Sequence, residues 1–252
     1  VKLDYLTLLG SEPVYIKDIG SVKSPTLRDV RKLGFENYNM YMAILNFDKK
    51  QFIKVFNLKD QTIIDKEYFD IVFDSQEFRE MFYNIFSFFM CEKVYVDIAD
   101  KCYVLYVENP KPKNKNDKQF IAGIIRKDNF EIVKDIILQF NYCNNDEIRS
   151  TKPVGKHTAE LLEKSKKYKE KFAEQNKEAD KDISLPNIIS KIATYSNSIN
   201  FLNIWDLTIF QIFDMFATLS NKQITDMCNM SYSVWGGNHD IPKWYKSTYK
   251  NI

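Results

Sequence analysis

Glycine and proline are scarce in this chain, seven of each in 252 residues. Phosphate-cradling loops and strained catalytic turns draw on glycine, so the shortage weighs against an enzyme. Histidine is scarcer still. His157 lies in a hydrophilic stretch and His239 in an Asn-His-Asp turn, so neither has a second histidine at metal-ligand spacing. The four cysteines, Cys91, Cys102, Cys143 and Cys228, include no CxxC pair. They read as buried free thiols in a reducing compartment rather than as a disulfide framework or zinc site. No GxSxG, Walker A, GxGxxG, HExxH or EF-hand pattern occurs. Lys plus Arg number 36 against 34 Asp plus Glu, a net charge of +2 without the basic excess of a nucleic-acid binder. The longest apolar runs, such as Ile85 to Met90, fall far short of the ~20 residues that cross a bilayer. The first residues do not set a basic region before a long apolar one, so no signal peptide is expected and the cytosol is the expected location.

What is abundant is material for a core: 44% hydrophobic and 15% aromatic residues, enough to exclude disorder throughout. Composition divides the chain into an α+β body at 1–148, a charged helical linker at 149–183 and a small helical C-terminal domain at 184–252. In the body, Pro13 to Ile19 alternates as a short strand closed by Gly20. Ser24-Pro25 reads as a helix start and Gly34 as that helix's αL end. A second helix runs through Tyr38, Tyr41, Met42 and Leu45, and Gln51 to Leu58 fits either helix or strand. Asp74 or Ser75 caps a helix whose Phe78, Met81, Phe82, Ile85, Phe86 and Phe89 form one apolar stripe. Val94–Ile98 and Cys102–Val107 form a hairpin around Ala99-Asp100-Lys101, and Gln119 to Ile125 is a further strand. Asp128 caps a helix that buries Phe130, Ile132, Val133, Ile136, Ile137 and Phe140. Sheet and helices in one unit define an α+β class.

Eight lysines and six acidic residues fall between Lys156 and Lys181, with Glu160–Lys164 and Glu163–Lys167 at i,i+4, the spacing that supports an exposed helix. In the last region Ser184-Leu185-Pro186 opens a helix with Ile188, Ile189, Ile192 and Ala193 on its face, and Asn197 to Asn200 breaks it. Asn203 or Asp206 opens a helix to Leu219 that aligns Ile209, Ile212, Phe213 and Phe216. Asn221 to Met230 continues as a short helix, and Trp235-Gly236-Gly237 turns the chain.

The chemistry-bearing residues make no convincing constellation. His239 with Asp240 and Asp226 is the nearest approach to a metal set, and a polar turn accounts for it as well. Cys228 with His239 is the nearest approach to a nucleophile and base, which keeps a small hydrolase as the remote alternative, although Cys228 sits between methionines like a packing residue. Lys111, Lys113, Lys115 and Lys118 make a small basic loop, read as solvated surface rather than as a nucleic-acid site. No catalytic, cofactor or metal residues are assigned.

The aromatic C-terminal residues read either as core or as a helix face offered to another chain. So short a domain carries more apolar surface than it can hide alone, which favours the second reading. The candidate partner-binding residues are Trp205, Leu207, Phe210, Phe213, Phe216, Trp235 and Trp244.

The segment Ile199 to Phe216, with Asn203-Ile204-Trp205-Asp206-Leu207-Thr208 at its centre, resembles an N-x-W-D-L-T-x-Y-Q-x-x-D-x-F stretch in proteins of tailed phages and prophages of low-GC Gram-positive bacteria. Trp244-Tyr245-Lys246 stands where that group has a terminal Trp, and Ile19 to Leu27 and Arg126 to Val133 are further matches. The sequence departs from the group after Leu219. The resemblance implies a non-enzymatic tail-module protein in the host cytoplasm. Within that group it implies a tail assembly chaperone that binds the tape measure protein or tail tube subunits, or associates with itself. The alternative it implies is a structural component of the tail, neck or baseplate that stays in the virion.

Overall fold

A computed structural model describes residues 2–108, 119–142 and 184–236. They fall into two compact units, one of residues 2–108 and 119–142 with Thr208–Phe210, the other of residues 184–207 and 211–236. The class is the mixed α+β expected, with sheets and helices in the N-terminal part and helices in the C-terminal part. The charged segment 149–183, the Lys111 to Lys118 loop, His157, His239 and Trp244 lie outside the described residues.

The first unit opens with α1 (Tyr5–Leu9), started by Asp4, whose carboxylate accepts the Leu6 and Thr7 N–H groups at 2.9 and 3.1 Å. Strands β1 (Val14–Ile16) and β2 (Gly20–Val22) then pair as an antiparallel hairpin. Gly20 therefore begins a second strand instead of closing the first. Its φ of 113° and that of Asp18 at 65° make the turn.

The next helix, α2 (Leu27–Leu33), starts two residues later than the Ser24-Pro25 cue suggests. Thr26 is the cap because Asp29 stands at its third position and completes a reciprocal capping box. Pro25 and Thr26 are instead held extended, the Pro25 carbonyl accepting from Ile209 N–H at 3.0 Å and Thr26 bridging Thr208. Gly34, at φ 93° and ψ 134°, is not αL. It is the corner that ends α2 and begins α3 (Phe35–Asn46).

Residues 49–55 form helix α4 (Lys49–Val55), boxed by Asp48 and Gln51, and two short helices, α5 (Gln61–Ile64) and α6 (Tyr68–Asp74), follow. Ser75 caps α7 (Gln76–Phe89), and its stripe is sealed, with Phe82, Ile85, Phe86 and Phe89 fully buried. Strands β3 (Lys93–Asp97), β4 (Cys102–Glu108) and β5 (Gln119–Ile125) form an antiparallel sheet in that order, with a bulge opposite Leu105 and Tyr106. The last helix of the unit, α8 (Phe130–Phe140), is capped one residue later than expected, by Asn129. The Asn129 side chain accepts the Arg126 N–H at 2.7 Å and donates to the Ile124 carbonyl at 2.8 Å, so it closes the strand-to-helix turn.

The core is an aromatic network. Phe130 meets the rings of Tyr68, Phe69, Phe82 and Phe86 at 5.1–6.1 Å, mostly edge to face. Tyr103 on β4 meets Phe73 and Phe86. Lys134 is buried here, its ammonium 3.1 Å from the Phe47 carbonyl, 3.3 Å from Glu131 and 4.3 Å from the centre of the Tyr68 ring, which together replace its water. Gly123 lets β5 pass against the β1–β2 turn, since a Cβ there would sit 2.3 Å from the Ile19 carbonyl carbon.

In the second unit α9 (Leu185–Tyr195) buries Leu185, Ile188 and Ile192 and ends before Ser196. A 3-10 turn at Ile204–Asp206 precedes the longest described helix, α10 (Ile209–Trp235), whose first two residues belong to the first unit. The helix expected to Leu219 and the short one expected to continue it from Asn221 to Met230 are a single element that runs on to Trp235. No Gly or Pro interrupts residues 220–235, and the Ser220 and Thr225 hydroxyls donate to the carbonyls of Phe216 and Asn221 at 2.8 and 2.9 Å. Lys222 and Asp226 pair at i,i+4, 2.6 Å apart. The helix stops where Gly236 takes φ 63°.

Candidate functional site

The near part of α10 points its apolar residues inward and the far part points them outward. Ile209, Phe210 and Ile212 are buried, and Phe213 and Phe216 are half-buried, with the Lys191 ammonium 5.7 Å from the Phe216 ring centre. From residue 224 onward Ile224, Met227, Val234 and Trp235 are all exposed, Met227 at 70% and Trp235 at 82%. With half-buried Cys228 and Ser231 they recur at spacings of three and four, so they line one face over three turns of the helix. Met230 and Tyr232, also exposed, flank it. Between residues 219 and 235 the formal charges are Lys222 and Asp226, which neutralise each other. The hydroxyls of Ser220, Thr225 and Ser233 are all donated to the helix's own carbonyls. The result is a long helix face of low charge.

A second apolar projection stands on the turn before the 3-10 helix. Asn200 and Asn203 build it: the Asn203 carboxamide accepts Asn200 N–H and donates to the Ser198 carbonyl, at 2.8 and 2.9 Å, and the Asn200 side chain accepts Leu202 N–H at 2.8 Å. The Trp205 indole N–H donates to the Phe201 carbonyl at 2.8 Å. This hydrogen-bonded frame holds Phe201 and Leu202 outward, Leu202 at 87% exposure.

The candidates from the sequence separate accordingly. Trp205, Leu207, Phe213 and Phe216 are half-buried and Trp235 is exposed. Phe210 is fully buried and does not offer a surface: its ring lies 6.1 Å from Tyr5 and 5.1 Å from Tyr142, inside the first unit. Sequence reasoning missed Phe201, Leu202, Ile224, Met227 and Val234. The spacing of Ile224, Met227, Ser231 and Val234 was there to find the last three, but only once the helix is read on past Met230 to Trp235.

For the hydrolase alternative, Cys228 is half-buried and Asp226 is paired to Lys222, while His239 lies outside the described residues. In the first unit burial pushes the Cys91 and Cys102 thiols up, with Glu92 adding to the first and Asp97 to the second, so both are poor thiolates. Among the described residues no three His, Cys, Asp or Glu side chains group as a metal site, and no helix is long and apolar enough to cross a membrane.

Fold and surface together define a mixed α+β protein whose C-terminal helical part leaves an apolar helix face and a leucine-bearing turn in the open. Residues 174–249 match the family described as the YomV second domain. YomV is a Bacillus phage or prophage protein, so the part of the chain that carries this surface is similar to a phage domain, and the bacteriophage association rests on that match. No curated protein and no solved structure matches the chain.

Proposed function

We propose that this is a non-enzymatic phage assembly protein, a tail assembly chaperone that holds a helical segment of the tape measure protein or of a tail tube subunit on the far half of α10. The observation that carries the reading is the three-turn apolar face of Ile224, Met227, Val234 and Trp235, exposed on a helix of the phage-related segment. An amphipathic helix laid on such a face buries its own i, i+3, i+4 and i+7 side chains. Methionines suit the role, because their unbranched, polarisable side chains adapt to unlike partners. Such a chaperone keeps an aggregation-prone partner in solution until the tube closes around it, and needs no chemistry of its own.

The test is co-elution of the purified full chain with the tape measure protein and with tail tube protein of the same phage, each added separately. The paired substitutions Met227→Ala and Trp235→Ala remove two exposed anchors, and binding should weaken by tenfold or more, about 1.4 kcal/mol, with the melting temperature unchanged. Retention of full affinity by the double variant would overturn the reading. Abundant copies of the chain in purified particles would replace the chaperone with the structural tail component.

A further inference from the structure

Among the described residues β5 is the last strand of its sheet, and a groove of about 300 Å³ lies beside it. Residues 121–124 of β5 form one wall, Asp18 of the β1–β2 turn faces them, and Arg126 and Asp128 close one end. None of the lining comes from β4, so the groove is on the strand's outer side. Among the described residues only the C-terminal end of that side is occupied: Ile124 N–H donates to the Asp18 carbonyl at 3.0 Å and the Ile124 carbonyl accepts from Asn129. Toward the other end Phe120 and Ile121 are more than half exposed, and Ala122 is skipped by the register with β4. Edge strands are usually guarded by a charge or a proline. From Gln119 to Ile125 the sequence QFIAGII has neither. Among the described residues the guards of this edge are the β1–β2 turn over its C-terminal end and the bulge at Ala122.

The groove's charges state what would lie in it. The lining brings two carboxylates, of Asp18 and Asp128, against one guanidinium, that of Arg126. We propose that this edge is a docking site for an extended peptide segment of another protein, which adds a strand beside β5 and sets a lysine or arginine in the acidic end of the groove. Main-chain hydrogen bonds supply the affinity and the carboxylates select the side chain. This site is separate from α10 and does not rest on the chaperone reading.

The experiment uses the full chain, isotope-labelled, and two acetylated heptapeptides of alternating valine and threonine, one carrying a single lysine and the other glutamate in its place. Amide exchange and chemical shifts of residues 119–124 report where each binds, and anisotropy of a labelled peptide reports how tightly. The lysine peptide should slow exchange at this edge and bind about fivefold tighter than the glutamate peptide, the top of the range for one exposed ion pair. Asp18→Asn with Asp128→Asn should abolish the preference while keeping the turn, since asparagine tolerates the φ of 65° at position 18. Ile121→Lys, at an exposed position, should block both peptides without unfolding the chain. Equal binding of the two peptides, or binding that survives Ile121→Lys, overturns the proposal. So does edge protection that grows with protein concentration in the absence of peptide, which would give the edge to a second copy of the chain.

Discussion

The first unit and the far half of α10 are both rich in large apolar residues, yet they place them in opposite directions. In the first unit Phe52, Phe73, Phe82, Phe86, Phe89, Tyr103 and Phe130 are fully or almost fully buried, because helices α4, α6, α7 and α8 and strand β4 bring rings together from distant parts of the sequence. Its surface is dressed with ion pairs, Lys66 and Lys101 on Asp74, Lys127 on Glu67 and Asp70, and Lys93 on Glu108. In α10 a single helix runs on past the residues that bury its start, with the Lys222–Asp226 ion pair and a row of open apolar side chains. A buried ring contributes to folding. An exposed one contributes nothing until something covers it, so the contrast separates side chains that hold the fold from side chains available for binding.

The strongest way to break that contrast is at Phe130. Its ring touches four others, and truncation leaves a cavity that the rigid helices α6, α7 and α8 cannot close. Phe130→Ala should cost about 3–5 kcal/mol, read from urea unfolding. A loss below about 1 kcal/mol would mean the network is loosely packed. Next comes Gly123→Ala, where the added methyl meets the Ile19 backbone at 2.3 Å. The β1–β2 turn must then move away from β5, and about 1–3 kcal/mol should be lost. An unchanged midpoint would show that the hairpin yields freely.

How much of this was legible beforehand depended on whether the signal was local. Helix α7 could be read because six apolar residues at three- and four-residue spacings follow a serine cap, and β5 because Gln119 to Ile125 is an unbroken β-prone run. Helices α5 and α6 were not legible. Phe69, Ile71, Val72 and Phe73 are buried on every side of α6, which erases the periodicity that marks a helix. The β1–β2 hairpin hid because its strands are three residues long and its turn depends on Asp18 adopting a positive φ. At the site, the aromatic run through Phe216 announced itself, but its fate did not. Phe210 is sealed by Tyr5 and Tyr142, partners that lie at least 68 positions away and carry no sequence mark of the contact. The exposed face beyond was obscured because residues 221–230 read only as a short continuation, whereas the helix runs to Trp235 and brings Val234 and Trp235 into line with Ile224 and Met227.

A smaller effect should appear on the acid side. Hydrogen bonds from Lys101 first, and then Lys66, hold the Asp74 carboxyl below its usual range. A carboxylate with a lowered folded pKa contributes stability above the unfolded value near 3.8 and loses it as pH falls through the folded one. The wild type should therefore lose stability below about pH 4 more steeply than Asp74→Asn, while the two differ only modestly at pH 7 because the group is largely solvent-screened. Parallel acid profiles for the two proteins, followed by tryptophan-independent circular dichroism, would remove the ion pairs from the account of the first unit.

The smallest effect on folding is expected where the binding effect is largest. Met227→Gln and Val234→Gln replace two exposed apolar side chains by one that forms helix well, so the summed change in stability should stay within about 0.5 kcal/mol. The same pair of changes in a covered face would leave buried amides without partners and cost several times as much. Thermal melts of the double variant thus decide whether the face is open in the free chain. A loss above about 1 kcal/mol would mean that something within the protein already lies on it, and the distinction between the inward and outward halves of α10 would fail. An unchanged melt with weakened partner binding would instead place these side chains in recognition alone, since the folded state would have registered no loss from their removal.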